Sequence, residues 1–88
     1  MTEQVENVNV KDQIREFVRE AAQRKGVSEV TDDQSLVESG VIDSLGIFRL
    51  VAFLEESFRV RIGDEEIVGE NFESIAGIER FVLNKLNR

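Results

Sequence analysis

Ser44 lies in the run Glu38-Ser39-Gly40-Val41-Ile42-Asp43-Ser44-Leu45-Gly46, where a polar loop gives way to an amphipathic helix. A hydroxyl at a helix start is exposed. An anion carried there meets backbone N–H groups that lack an intrahelical partner, at the positive end of the helix dipole. The position suits a phosphate ester. Asp43 adds an acceptor of the kind that caps a helix, and Gly40 permits a positive-φ turn just before it. The sequence supplies no evident general base for this serine, so the chemistry expected of Ser44 is modification by another protein rather than nucleophilic turnover.

The composition narrows the field further. The chain has 88 residues, with no Cys and no His. That removes disulfides, thiolate metal sites and protein thiol chemistry, together with the commonest general base and neutral metal ligand. Any sulfur chemistry has to arrive on a cofactor. No catalytic residue and no metal ligand is expected. A calcium loop starting at Asp32 fails its template, because Gln34 and Leu36 stand where acidic or amide ligands belong and Val37 replaces the required glycine.

Positioning Ser44 requires a small helical scaffold. One domain of this size buries roughly 60 to 65 per cent of its unfolded surface. Residues 1–9 are polar and read as a flexible N-terminal segment; residues 10–88 read as a single domain. Val10, Ile14, Phe17, Val18 and Ala21 mark one face of helix 1, which closes at Gln23-Arg24-Lys25-Gly26. Residues 27–43 form a long loop with apolar anchors Val27, Val30, Leu36, Val37, Val41 and Ile42. Helix 2 runs from Ser44 to about Phe58 on a stripe of Ile47, Leu50, Val51, Leu54 and Phe58. A short helix 3 is expected from Asp64 through Val68, ended by Gly69. Ser74 caps helix 4, with Ile75, Ile78, Val82 and Leu86 inward, Phe81 beside them and Phe72 plugging the end of the bundle. The fold class is all-α, a four-helix bundle of three longer helices and one short one.

Charge is unevenly spread. The net charge is −7, yet residues 29–73 alone hold twelve acidic and three basic groups. Such a surface repels nucleic acid and anionic lipid and steers basic protein patches toward it. No stretch has the length of a membrane span or the pattern of a signal peptide, so a cytoplasmic protein without membrane insertion is expected. Leu45 and Phe48 fall off the helix 2 stripe beside Ser44, where exposed apolar side chains fit a partner contact.

Together these residues resemble the acyl carrier and peptidyl carrier family. The likeness centres on Leu36 to Leu45 and continues through Leu50 to Phe58, Asp64-Glu65-Glu66-Ile67 and Asn71-Phe72-Glu73-Ser74-Ile75. The resemblance implies that Ser44, flanked by Asp43 and Leu45, carries 4′-phosphopantetheine transferred from coenzyme A by a magnesium-dependent phosphopantetheinyl transferase. The arm's thiol would hold acyl or aminoacyl groups as thioesters and present them to loading and condensing enzymes. The carrier, expected to be a free-standing monomer, would itself catalyse nothing.

Departures from the family pattern also carry information. Fatty-acid carriers usually place acidic residues early in helix 2, whereas Gly46 and Arg49 stand here, with Glu55 and Glu56 acidic further along. The expected partner surface is therefore Leu45, Phe48, Arg49, Glu55 and Glu56. The pattern is more similar to discrete carriers of specialised pathways, including polyketide, peptide or aminoacyl systems, within a broader expectation of service in fatty acid, polyketide or related biosynthesis. The alternative is an unmodified carrier-like interaction domain in which Ser44 only helps to start helix 2.

Overall fold

Helix α1 (Glu3–Arg24), helix α2 (Ser44–Phe58), the short helix α3 (Gly69–Phe72) and helix α4 (Ile75–Leu86) follow one another in the computed structural model, which describes residues 3–87, with side chains from Val10 onward. Among the described residues there is no strand and no helix long and apolar enough to cross a membrane. The flexible stretch expected over residues 1–9 falls partly outside the described residues. Where the backbone is described, from Glu3, it already belongs to α1.

The core follows the heptad-like spacing of the sequence. On α1 the buried ladder is Val10, Ile14, Val18 and Ala22, while Phe17 and Ala21 form its half-buried shoulder. Leu50, Val51 and Leu54 of α2 meet Ile75, Ile78 and Val82 of α4, with Phe72 closing one end of the bundle. Phe72 packs on Phe81 at 5.3 Å between ring centroids, and Phe17 stacks on Phe53 at 4.8 Å. No polar or charged side chain is buried among the described residues, so the interior carries no desolvation penalty for charge.

The long loop is a built element. Leu36 is fully buried, its N–H donates to the Glu73 carbonyl at 2.8 Å, and its own carbonyl accepts from Val41 and Ile42 at 3.0 Å each. Ala76 N–H donates to the Asp32 carbonyl, and the Asp32 carboxylate takes both Nε (3.1 Å) and Nη2 (2.7 Å) of Arg15. The loop is thereby fastened to α1 on one side and to the α3–α4 junction on the other. That fastening is what brings Asp43 and Ser44 to a fixed place.

Three expectations need correction. Helix 3 is not one helix over 64–68. A 3₁₀ turn spans Asp64–Glu66, a tight turn at Ile67 (φ −84°, ψ 72°) returns Val68 N–H to the Glu66 carbonyl, Val68 is extended, and Gly69 begins α3 instead of ending a helix. The acidic start favoured a helix, but two β-branched residues follow at once, and half-buried Ile67 packs toward the core instead of prolonging the turn. Val37 is exposed, because the tight turn from Ser35 to Gly40 (φ +82°) buries its neighbour Leu36 and points it outward. Leu86 is exposed as well: it is the last residue of α4, one turn past Val82, the last buried residue of that helix.

Candidate functional site

The site is assembled where the loop meets α2. Asp43 has an extended backbone (φ −102°, ψ −172°) and caps the helix: its Oδ1 accepts from Gly46 N–H at 2.8 Å. Its carbonyl takes the first intrahelical bond, from Ile47 N–H at 3.0 Å. Of the three N–H groups that open α2, the cap thus occupies one, leaving those of Ser44 and Leu45 without an intrahelical partner. The second Asp43 oxygen, Oδ2, accepts from Lys25 Nζ at 2.9 Å. Lys25 and the Gly46 N–H together hold the Asp43 carboxyl below the usual carboxylate range, with the lysine the larger influence.

Ser44 is exposed, and among the described residues its hydroxyl makes no hydrogen bond. Because Asp43 does the capping, Ser44 is not needed for that purpose. Gly46 explains part of the local sequence. A methyl added there would sit 3.0 Å from Ile42 Cγ2 and 3.2 Å from Asp43 Oδ1, so glycine lets the buried Ile42 and the capping carboxylate close on the helix together.

Two cavities flank the start of α2. On the α1 side is a hollow of about 160 Å³ with an apolar lining from Phe17, Val41 and Leu45 and a basic rim of Arg24, Lys25 and Arg49. On the opposite side an open groove of about 470 Å³ runs between Val37, Ile47, Val68 and Phe72, with Glu38 and Glu70 at its edges. Exposed Val37 is one wall of this groove.

The remaining residues singled out from sequence divide by position. Leu45 and Phe48 stand 61% and 63% exposed beside Ser44, far more open than the core stripe, which leaves both available for contact. Arg49 is exposed and near them. Glu55 and Glu56 are eleven and twelve residues on, roughly 16 to 18 Å along the helix axis. Glu55 is half-buried and its Oε2 accepts from Ile62 N–H at 2.9 Å, tying the loop after α2, whereas Glu56 is exposed. The structure therefore gathers Asp43, Ser44, Leu45, Phe48 and Arg49 at one end and leaves the two glutamates at the other.

Sequence reasoning missed Lys25 as part of the site. At the end of α1 it reads as a dipole-favouring terminal residue, and only the fold brings it 18 positions along the chain to Asp43. No group of carboxylates capable of holding a metal occurs among the described residues.

Comparisons with known proteins bear on this end of the molecule. Residues 12–82 match the family model described as "Phosphopantetheine attachment site". Aminoacyl carrier protein 2 of Bradyrhizobium diazoefficiens is 32% identical over 80 residues, covering 90% of this chain and 89% of that protein. The acyl carrier protein of Borreliella burgdorferi is 30% identical over 81 residues, covering 92% of this chain and 98% of that protein. Among solved structures, that of the Bradyrhizobium japonicum glycine:[carrier protein] ligase complexed with glycylated carrier protein contains a similar chain. The TM-score is 0.71 at 28% identity, covering 81% of this chain and 95% of that one.

Proposed function

Since this chain belongs to the phosphopantetheine attachment site family, whose members carry covalently bound 4′-phosphopantetheine, we propose that Ser44 is its attachment residue and that residues 10–88 serve as a carrier domain for aminoacyl or acyl groups. The protein is a carrier and not a catalyst. The observation that carries the assignment is the unengaged, exposed Ser44 hydroxyl beside two open N–H groups, on a helix already capped by Asp43. These features fit the group: there is a free nucleophilic oxygen, room around it, and donors for a phosphodiester.

In the attachment step the Ser44 oxygen forms a new bond to the phosphorus of coenzyme A that bears the pantetheine. The bond from that phosphorus to the adenosine bisphosphate breaks, the nucleotide leaves with the electron pair, and the hydroxyl proton passes to a base of the transferase. The bound arm supplies a thiol for thioester chemistry. The chain's own contribution is positional. Leu36 and Asp32 lock the loop, Asp43 fixes the first turn of α2, and Leu45 and Phe48 offer an apolar contact to a transferase, loading enzyme or condensing enzyme. The groove beside Ile47 gives the carried group an apolar resting place one turn from the tether.

Aminoacyl service is favoured over housekeeping fatty-acid service. An aminoacyl carrier and a glycylated carrier are among its similar proteins, and Gly46 and Arg49 stand where fatty-acid carriers are acidic. Incubation with coenzyme A and a broad-specificity transferase, followed by intact-mass analysis, tests the attachment. The wild-type chain is expected to gain one phosphopantetheinyl group and Ser44→Ala none. A gain in the alanine variant overturns the assignment. Loading the modified protein with a glycine:[carrier protein] ligase and, separately, a malonyl transferase tests the cargo class: more efficient malonylation would overturn the aminoacyl preference.

A further inference from the structure

The attachment end is positive in a negative protein. The chain as a whole carries −7, yet the hollow on the α1 side of Ser44 is lined by three cations, Arg24, Lys25 and Arg49, against the single carboxylate of Asp43. Lys25 is paired with Asp43, but Arg24 and Arg49 have no carboxylate partner among the described residues. Three cations from the end of α1, the turn after it and α2 are thus gathered around one small cavity with only the Asp43 carboxylate to balance them, an excess of two positive charges. Such an arrangement costs stability unless an anion arrives. The position next to Asp43 is where one does arrive in the carrier reading, on which this inference rests.

We infer that Lys25, supported by Arg24 and Arg49, is the counter-ion of the phosphodiester formed at Ser44 and holds the root of the arm on the α1 side of α2. Lys25 Nζ already lies 2.9 Å from Oδ2 of the residue preceding Ser44, while Oδ1 of that residue is engaged by Gly46. A phosphodiester one residue along brings a second anion beside the first. The ammonium, with three donors on a flexible stem and a side chain 43% exposed, has donors left for that anion while keeping its bond to Asp43. Arg24 and Arg49 line the same hollow and add to the positive potential there.

The test is a thermodynamic cycle in which attachment of the arm is one leg and Lys25→Met the other. Thermal midpoints are measured for apo and holo protein in both backgrounds at low salt. Loss of the Asp43 pair affects apo and holo forms alike and cancels. The holo-minus-apo difference is expected to fall by about 2 to 5 °C in Lys25→Met, the size an exposed ion pair gives in a domain this small, and to recover in Lys25→Arg. Amide chemical-shift changes at Arg24 and Lys25 on attachment should also shrink in Lys25→Met. Equal holo-minus-apo differences in the two backgrounds overturn the counter-ion role while leaving the carrier reading intact. Failure of the wild-type chain to accept the arm at all overturns both.

Discussion

Truncating Leu36 to alanine should loosen the attachment segment and the whole bundle at once. Leu36 is fully buried, and its backbone receives Val41 and Ile42 N–H while its own N–H reaches Glu73, so the side chain pins the turn that leads directly to Asp43 and Ser44. The substitution removes three buried carbons and leaves every backbone bond chemically possible. Lost transfer energy and the residual cavity together amount to about 3 kcal/mol. A domain of this length is stable by about 4 to 13 kcal/mol, so the variant folds but melts about 12 to 24 °C lower. Circular dichroism measures the drop. Native-state hydrogen exchange should show the Val41 and Ile42 amides losing protection together with the core of α4, because the loop is bonded to the α3–α4 junction. A fall below about 1 kcal/mol, or loss confined to residues 36–42 with α4 unchanged, would falsify the claim that the loop is an integral part of the core.

Other perturbations follow from single features. Arg59 ends α2 in the left-handed region (φ 59°, ψ 40°) with an exposed side chain, so Arg59→Gly should raise stability by about 0.5 to 1 kcal/mol in chemical denaturation; no gain would show that the arginine makes a compensating contact. Asp32 and Asp43 are both held below the ordinary carboxylate range, first by the hydrogen bonds of Arg15 and Lys25 respectively. Their folded-state affinity for a proton is lower than in the unfolded chain, so the stability they give is complete above about pH 5 and lost as pH falls below the unfolded value of about 3.9 toward the lower folded values. Asp32→Asn and Asp43→Asn should each flatten the acid limb of a melting-temperature profile, and unchanged limbs would refute the pairing. Phe48→Ala should leave stability within about 0.5 kcal/mol and slow loading several-fold in a single-turnover aminoacylation assay, whereas an equal loading rate would remove Phe48 from the partner surface.

The helices were legible because their buried faces repeat with helical spacing and their caps are local. Asp43 and Ser74 both lie three residues before the N–H they accept, so each appears in sequence as a short polar punctuation mark before an apolar run. The start of α2 at Ser44 was legible for the same reason. Val37 was not, since in the six-residue turn from Ser35 to Gly40 the choice between burying position 36 or 37 depends on which carbonyls the backbone reaches, here Ser35, Leu36 and Val37 itself. The α3 region misled because Asp64-Glu65-Glu66 has the charge of a helix start. The turn stops at Glu66, whose Oε1 is held locally by Gly63 N–H at 2.9 Å and across the fold by Lys85 Nζ at 2.8 Å. Lys25 was invisible as a site residue because nothing local ties it to Asp43.

The acidic middle of the chain also changes meaning once its groups are located. Asp32 binds Arg15 and Lys11, Asp43 binds Lys25 and the helix start, Glu55 holds Ile62 N–H, and Glu66 joins the 3₁₀ turn to α4. These acids are internal fasteners, and their charge is largely answered within the fold. Solvated groups such as Glu56 and Glu70 project the remaining negative field, while Arg24, Lys25 and Arg49 border the hollow beside Ser44. A docking enzyme therefore meets two signs of charge on one small protein. In the proposed carrier role, long-range attraction of a basic partner surface would act through the acidic body and the cationic edge would orient the serine end, so the field would specify a direction of approach as well as a rate. An excess of acid distributed evenly over the surface would speed encounter equally from every side, and most encounters would place Ser44 facing solvent.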